Sequence, residues 1–158
     1  MQKQRKHIRI QGHDYSLPAM YFITSSVKDN RCIFGKVLEG KMILNAYGDV
    51  AAEQLYWLGE QYMFLRIPVF VIMPNHVHFI VDIHGSSNHK TIRPLPQLMS
   101  AYKSRVSSKI RNLGLKSFCW HRSYYDHMIR TEHSYMRIVQ YIQNNPRTWN
   151  QDSMFPNN

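Results

Sequence analysis

The sequence predicts a single mixed α/β domain of the α+β kind. The run Val69 to Ile83 is apolar but broken by the turn formers Pro74 and Asn75, which marks two strands meeting at a tight turn. Leu55, Leu58, Tyr62 and Leu65 recur at three-to-four-residue spacing, the period of one helical stripe. A last helix is bracketed by a capping Thr131 and by Pro146, which disfavours helix at the residue before it. With 158 residues, 44% of them hydrophobic, the chain supplies one ordinary core.

Taken in order, residues 1–18 are polar and basic (Lys3, Arg5, Lys6, Arg9) and read as an arm with little intrinsic order. The domain is expected over 19–150, with 151–158 as a polar tail. Ala19 to Val27 mixes aromatic and β-branched residues and fits a strand. Ile33 to Val37 and Lys41 to Leu44 flank Gly40, as a hairpin requires. The first helix is predicted from Asp49 to about Arg66, ended by Pro68. In the strand His76 to Ile83, residues His76, His78, Ile80 and Asp82 face one way, while Val77, Phe79, Val81 and Ile83 face the other. The purely apolar face is expected to meet the helices.

His84 to Lys90, rich in Gly, Ser and Asn, marks a surface loop. The second helix buries Leu98, Tyr102, Val106, Ile110 and Leu113 and ends at Gly114. Phe118 to Arg130 reads as a strand region. The last helix runs from Thr131 to Asn145, with Tyr135, Ile138, Val139 and Ile142 toward the core and Tyr141 and Asn145 at its border.

Twenty Lys plus Arg against ten Asp plus Glu leave a formal charge of +10, which favours a polyanionic partner such as nucleic acid. Cys32 and Cys119 lack zinc-ligand spacing, so a disulfide framework or Cys-rich zinc site is not expected. The charged N-terminus carries no apolar leader, and no apolar stretch reaches the roughly 18 residues a membrane span needs. A soluble cytoplasmic protein without membrane contact is expected.

Alternation puts the His76 and His78 imidazoles side by side, and neutral imidazole is the commonest protein metal ligand. By themselves they read more simply as half-buried histidines held by hydrogen bonds. Tyr141 and Asn145, four residues apart, share a helix face and change that balance: one offers a nucleophilic phenol and the other a ligand oxygen. A cation on His76, His78 and Asn145 would neutralise phosphate oxygens, leaving Tyr141 to attack phosphorus and store the bond energy covalently. Mg²⁺ or Mn²⁺ is the expected ion; ligand softness alone favours Mn²⁺ or a later transition metal, so availability in the cell decides.

Asp126 and His127 are strand neighbours on opposite faces, so they form no local dyad and their roles stay open: support of the metal ligands is one role for Asp126, and a core or substrate contact one for His127. Trp120, Tyr124, Tyr125 and Trp149 either stack unpaired bases or pack in the core. Lys103, Arg105, Lys109, Arg122 and Arg130 are the candidate DNA-binding cations.

Three segments, Met73 to Val81, Tyr124 to Arg130 and Tyr141 to Pro146, together resemble the HUH single-tyrosine transposases, and more closely their REP-associated branch. The resemblance covers roughly Ala19 to Trp149. It implies an RRM-like, ferredoxin-like antiparallel sheet with helices packed on one face. It also implies His76 and His78 as the metal pair, Tyr141 as nucleophile and Asn145 as third ligand. The implied activity is cleavage and rejoining of single-stranded or hairpin DNA through a phosphotyrosine, with a homodimer as one assembly. Readings from other classes are a non-catalytic nucleic-acid-binding module and a metal hydrolase that leaves no covalent adduct.

Overall fold

The structure is a computed structural model that describes residues 13, 15, 17–85 and 93–157. Most of the expected basic arm and much of the loop His84 to Lys90 lie outside the described residues. The elements are β1 (Ala19–Ser26), a 3₁₀ turn (Lys28–Asn30), β2 (Gly35–Leu38), β3 (Lys41–Leu44), α1 (Ala46–Gln61), β4 (Leu65–Arg66), β5 (Phe70–Ile72), β6 (His76–Ile83), α2 (Leu95–Asn112), β7 (Tyr125–Ile129), α3 (Glu132–Asn144) and a closing 3₁₀ helix (Asn145–Gln151).

All strand pairings are antiparallel. β1 lies between β6 and β7, with Thr24 opposite His78 on one side and Tyr125 on the other. β4 and β5 pair with successive parts of β6 on its other side. β2 and β3 form a separate hairpin whose Glu39 and Gly40 both have positive φ, 51° and 71°, as a tight two-residue turn requires.

The face of β6 bearing Val77, Phe79, Val81 and Ile83 packs with Tyr21 and Ile23 of β1 against α1 and α2. The expected stripe of α2 is buried at Leu98, Tyr102, Val106 and Ile110 and extends N-terminally to Leu95 and Met99. Leu113 is not part of it: it is the C-cap and 54% exposed, because the helix has ended before its side chain can turn inward. Gly114 follows with φ +116°. The buried Tyr102 hydroxyl donates to the Ala51 carbonyl oxygen at 3.0 Å, tying α2 to α1.

Helices on one face describe α1 and α2 alone. α3 covers the opposite face, where Ile142 packs with Ile80 and Ile129, and Tyr135, Ile138 and Val139 complete a second, smaller core. That placement sets α3 on the side of the sheet that carries the histidines.

Three boundaries differ from the sequence reading. α1 stops at Gln61 rather than near Arg66, because Leu65 and Arg66 pair with Ile83 and Asp82 and the chain is already extended at Tyr62. Its start is set by Asn45, whose side-chain oxygen accepts from the amides of Tyr47 and Gly48. The region Phe118 to Arg130 forms regular strand only over Tyr125–Ile129, with Trp120 making one isolated bridge to Val27. α3 begins where its Thr131 cap dictates, but Pro146 does not end helical backbone: Asn145 stays in the right-handed region and the chain tightens into the 3₁₀ helix. No helix among the described residues is long and apolar enough to cross a membrane.

The two interior glycines of α1 should respond oppositely to alanine. A Cβ at Gly48 would lie 2.2 Å from the Phe34 carbonyl oxygen, whereas at Gly59 nothing lies within 4 Å. Gly48→Ala is expected to destabilise by about 1–3 kcal/mol and Gly59→Ala to stabilise by about 0.5–1 kcal/mol in urea titrations. Equal effects would refute the close packing of α1 on Phe34.

Candidate metal and nucleophile site

His76 and His78 project from the face of β6 turned toward α3, their ring centroids 4.6 Å apart and their Nε2 atoms 3.1 Å apart. Both are almost wholly buried, at 0% and 5% exposure. Each ring is held from behind at Nδ1. For His78 the partner is the Thr24 hydroxyl at 2.7 Å, from the residue opposite it on β1. For His76 it is the Asn75 amide oxygen at 2.8 Å.

The Asn75 contact fixes a tautomer. The Asn75 amide nitrogen donates to the carbonyl oxygens of Asn30 and Met154, at 3.1 and 2.8 Å, so its oxygen is the atom left facing His76. His76 therefore donates from Nδ1 and presents a bare lone pair at Nε2. The Thr24 hydroxyl can rotate to donate or accept, which lets His78 either share its Nε2 proton with His76 or present a lone pair in its turn.

Two oxygen groups complete the cluster. The Asp152 carboxylate lies 3.8 Å from His76 Nε2, and ligand atoms of His76, His78 and Asp152 all fall within 4.8 Å of one another. Asn145 is 2% exposed; its amide nitrogen donates to the Tyr141 carbonyl oxygen at 3.3 Å. Its side chain approaches His76, yet its oxygen is buried and makes no hydrogen bond. A buried amide oxygen without a donor costs about 1–3 kcal/mol, and a cation is one partner that would satisfy it. Two imidazole nitrogens, a carboxylate and this oxygen thus form a donor set that fits a divalent cation.

Burial dominates the electrostatics. It lowers His76 to about 4, partly opposed by the Asp152 charge and the Asn145 side chain. Burial, then the neighbouring His76, holds His78 well below the usual imidazole range. Both rings are neutral near pH 7, the form that binds metal.

Tyr141 contributes the exposed part of the site. Its ring is 5.4 Å from that of His78 and stands edge-on to Phe22 at 6.0 Å, and it is 49% exposed. It opens on a pocket of about 390 Å³ shared with Phe22, Tyr125, His127, Ser134 and Arg137. One chain therefore brings His76, His78, Tyr141 and Asn145 together, although 65 residues separate His76 from Tyr141 by number.

Sequence reasoning missed Asp152, which lay in the expected polar tail, and the positioning groups Thr24 and Asn75. A register argument could have found Thr24, since β1 and β6 are the longest strands; nothing local in the sequence marks Asp152. Asp126 is not a support for the metal ligands: opposite Ile23, it sits on the α1 and α2 face of the sheet. His127, opposite Phe22, lines the Tyr141 pocket. Trp120 and Tyr124 are buried, Tyr125 is half exposed, and Trp149 lies 6.0 Å from the His76 ring.

The five candidate DNA-binding cations do not form one patch. Lys103 and Arg122 share a groove beside α2. Arg105 faces α1, with Nε donating to Gln54 at 2.8 Å and its guanidinium 3.8 Å above the Trp57 ring. Lys109, one turn on from Arg105, and Arg130, just past β7, are exposed.

Comparison with known proteins bears on the fold and on the family. A chain titled as a REP-associated tyrosine transposase bound to a REP hairpin superposes with a TM-score of 0.61 at 18% identity, covering 89% of this chain and 74% of that one. A Deinococcus radiodurans protein with a provisional transposase title gives 0.54 at 18% identity, covering 86% and 97%. An uncharacterized protein of Haemophilus influenzae is 34% identical over 96% of this chain and 93% of its own length. The sequence profile of the IS200-like transposases matches residues 41–145, two thirds of the chain including both histidines, Tyr141 and Asn145, and the chain belongs to that family.

Proposed function

We propose that this transposase-family protein cuts and rejoins single-stranded or hairpin DNA through a covalent bond between the Tyr141 phenolic oxygen and a backbone phosphorus. The observation that carries the reading is the exposed Tyr141 ring 5.4 Å from a buried, neutral histidine pair in the same chain. His76, His78, Asp152 and Asn145 would hold a divalent cation, Mg²⁺ or Mn²⁺, whose charge would offset that of the phosphate oxygens.

In this reading the phenolic oxygen bonds to phosphorus, the bond to one nucleoside oxygen breaks, and that oxygen leaves as a free hydroxyl once protonated. The tyrosine proton departs in the same exchange, so no net proton is consumed. Attack by a second strand's hydroxyl on the phosphotyrosine restores a phosphodiester and the phenol, which is why no nucleotide hydrolysis is needed. Arg137, four residues before Tyr141 on α3, places a cation beside the pocket where the phosphate would lie. Phe22 and Tyr125 offer faces on which unpaired bases stack. In this reading Tyr141 and the metal-binding groups come from the same chain.

Tyr141→Phe is expected to abolish the covalent protein–DNA adduct while DNA binding survives, read on denaturing gels with labelled single-stranded DNA and Mn²⁺. Adduct in the variant would remove Tyr141 from the chemistry. Free fragments from the parent protein without adduct would indicate hydrolysis, and intact DNA a binding module.

Asp152→Ala is expected to weaken Mn²⁺ binding by about tenfold or more by calorimetry, with Asn145→Ala acting in the same direction. Unchanged affinity in both would leave the histidines without oxygen partners.

Metal-free protein should lose stability as the pH falls from about 6.5 toward 4. In that window the unfolded chain protonates His76 and His78 and the folded chain holds them neutral, so acid favours unfolding. The urea midpoint is expected to be lower at pH 5 than at pH 7, and the drop smaller in His76→Gln. An equal drop in the variant would assign the pH response to other groups.

A further inference from the structure

A phenol ordinarily keeps its proton to about pH 10, so an attack by Tyr141 near neutral pH needs a group to take that proton. Tyr141 stands edge-on to the Phe22 ring at 6.0 Å, and a histidine flanks Phe22 on each neighbouring strand. On β6 this is His78, stacked on Phe22 at 5.3 Å and buried, with Nδ1 engaged by Thr24 and Nε2 by His76. On the edge strand β7 it is His127, directly opposite Phe22, exposed, and held by no hydrogen bond to another described residue.

Tyr141 and His127 line the same pocket of about 390 Å³, and of the groups around it only His127 can accept a proton near neutral pH. From α3, Arg137 stays protonated and the Ser134 hydroxyl is too weak a base; from β7, Tyr125 is itself a phenol. β1 contributes only the Phe22 ring. The carboxylate next to His127 in the chain, Asp126, lies on the opposite face of the sheet. Imidazole changes charge between about pH 5 and 8, which suits a group that must take up a proton and give it back. An exposed ring can also exchange that proton with water.

We propose that His127 is the proton acceptor for Tyr141, directly or through one water. During cleavage the phenolic proton passes to a His127 ring nitrogen while the phenolic oxygen bonds to phosphorus. The bond from phosphorus to the nucleoside oxygen breaks, that oxygen takes a proton from water, and the imidazolium releases its own to water, so the proton count closes. Rejoining runs the same path backward: protonated His127 returns a proton to the phenolic oxygen as the incoming hydroxyl displaces it, and the hydroxyl's proton goes to water. The assignment rests on the reading of Tyr141 as the nucleophile of a DNA strand transferase.

Adduct formation by the full chain is timed on denaturing gels, with a labelled single-stranded DNA pool of random sequence and saturating Mn²⁺. His127→Ala is expected to slow the adduct by about a hundredfold while Mn²⁺ and DNA affinity hold. Free imidazole should speed the variant by about tenfold and leave the parent unchanged, a response that a merely structural role would not give. Between about pH 5 and 8 the parent rate should rise as imidazole loses its proton, and the variant should lack that rise. A variant as fast as the parent, or a loss that imidazole does not relieve, would overturn the assignment. A parent protein that forms no adduct would overturn the strand-transfer reading and the role of His127 with it, so the parent alone tells the two failures apart.

Discussion

The alternation of side chains along β6 is the constraint on which the rest depends. Val77, Phe79, Val81 and Ile83 are sealed under α1 and α2, and with them the register of the central strand is set. A slip of one residue would put His76 and His78 into the apolar core under α1 and α2 and turn Phe79 toward α3. The core and the site are therefore not separable: the same pairing with β1 that buries Ile23 also sets Thr24 against His78.

What the site gains in order it loses in solvation. Two imidazoles and an amide are almost wholly removed from water. The hydrogen bond between His78 and the Thr24 hydroxyl and the one His76 donates to the Asn75 amide oxygen offset part of that cost, but the Asn145 oxygen stays unsatisfied. A buried polar oxygen left without a donor, beneath a well-packed sheet, costs stability unless a partner fills it. A cation would supply the missing partner and strengthen the fold as it binds.

Much of this was legible in the sequence, for physical reasons that differ by element. The histidine strand was readable because period-two alternation is local, and α3 because Thr131 and its apolar stripe announce it. Tyr141 and Asn145 followed from helical spacing. The sheet face onto which α3 docks was not readable: amphipathicity says that a helix has an apolar side, not which surface receives it. The end of α1 was hidden because Leu65 continues the helical stripe yet gains more by pairing with Ile83. Asp152 was hidden because its place depends on the path of the chain after Pro146. The cations of α2 divided by which flank of the helix they occupy, a distinction that charge counting cannot make.

Asn75 has one further consequence. Its amide nitrogen is satisfied by carbonyl groups from two remote stretches, at Asn30 and Met154, and only then is its oxygen committed to His76. A free imidazole samples both protonation isomers, so a chain whose last turn has not yet docked offers the ion a mixture of poised and unpoised rings. On the proposed reading, loading would thereby be coupled to the completion of folding: the C-terminal stretch would act as a latch, and a copy in which it has not docked would lack the fixed ring.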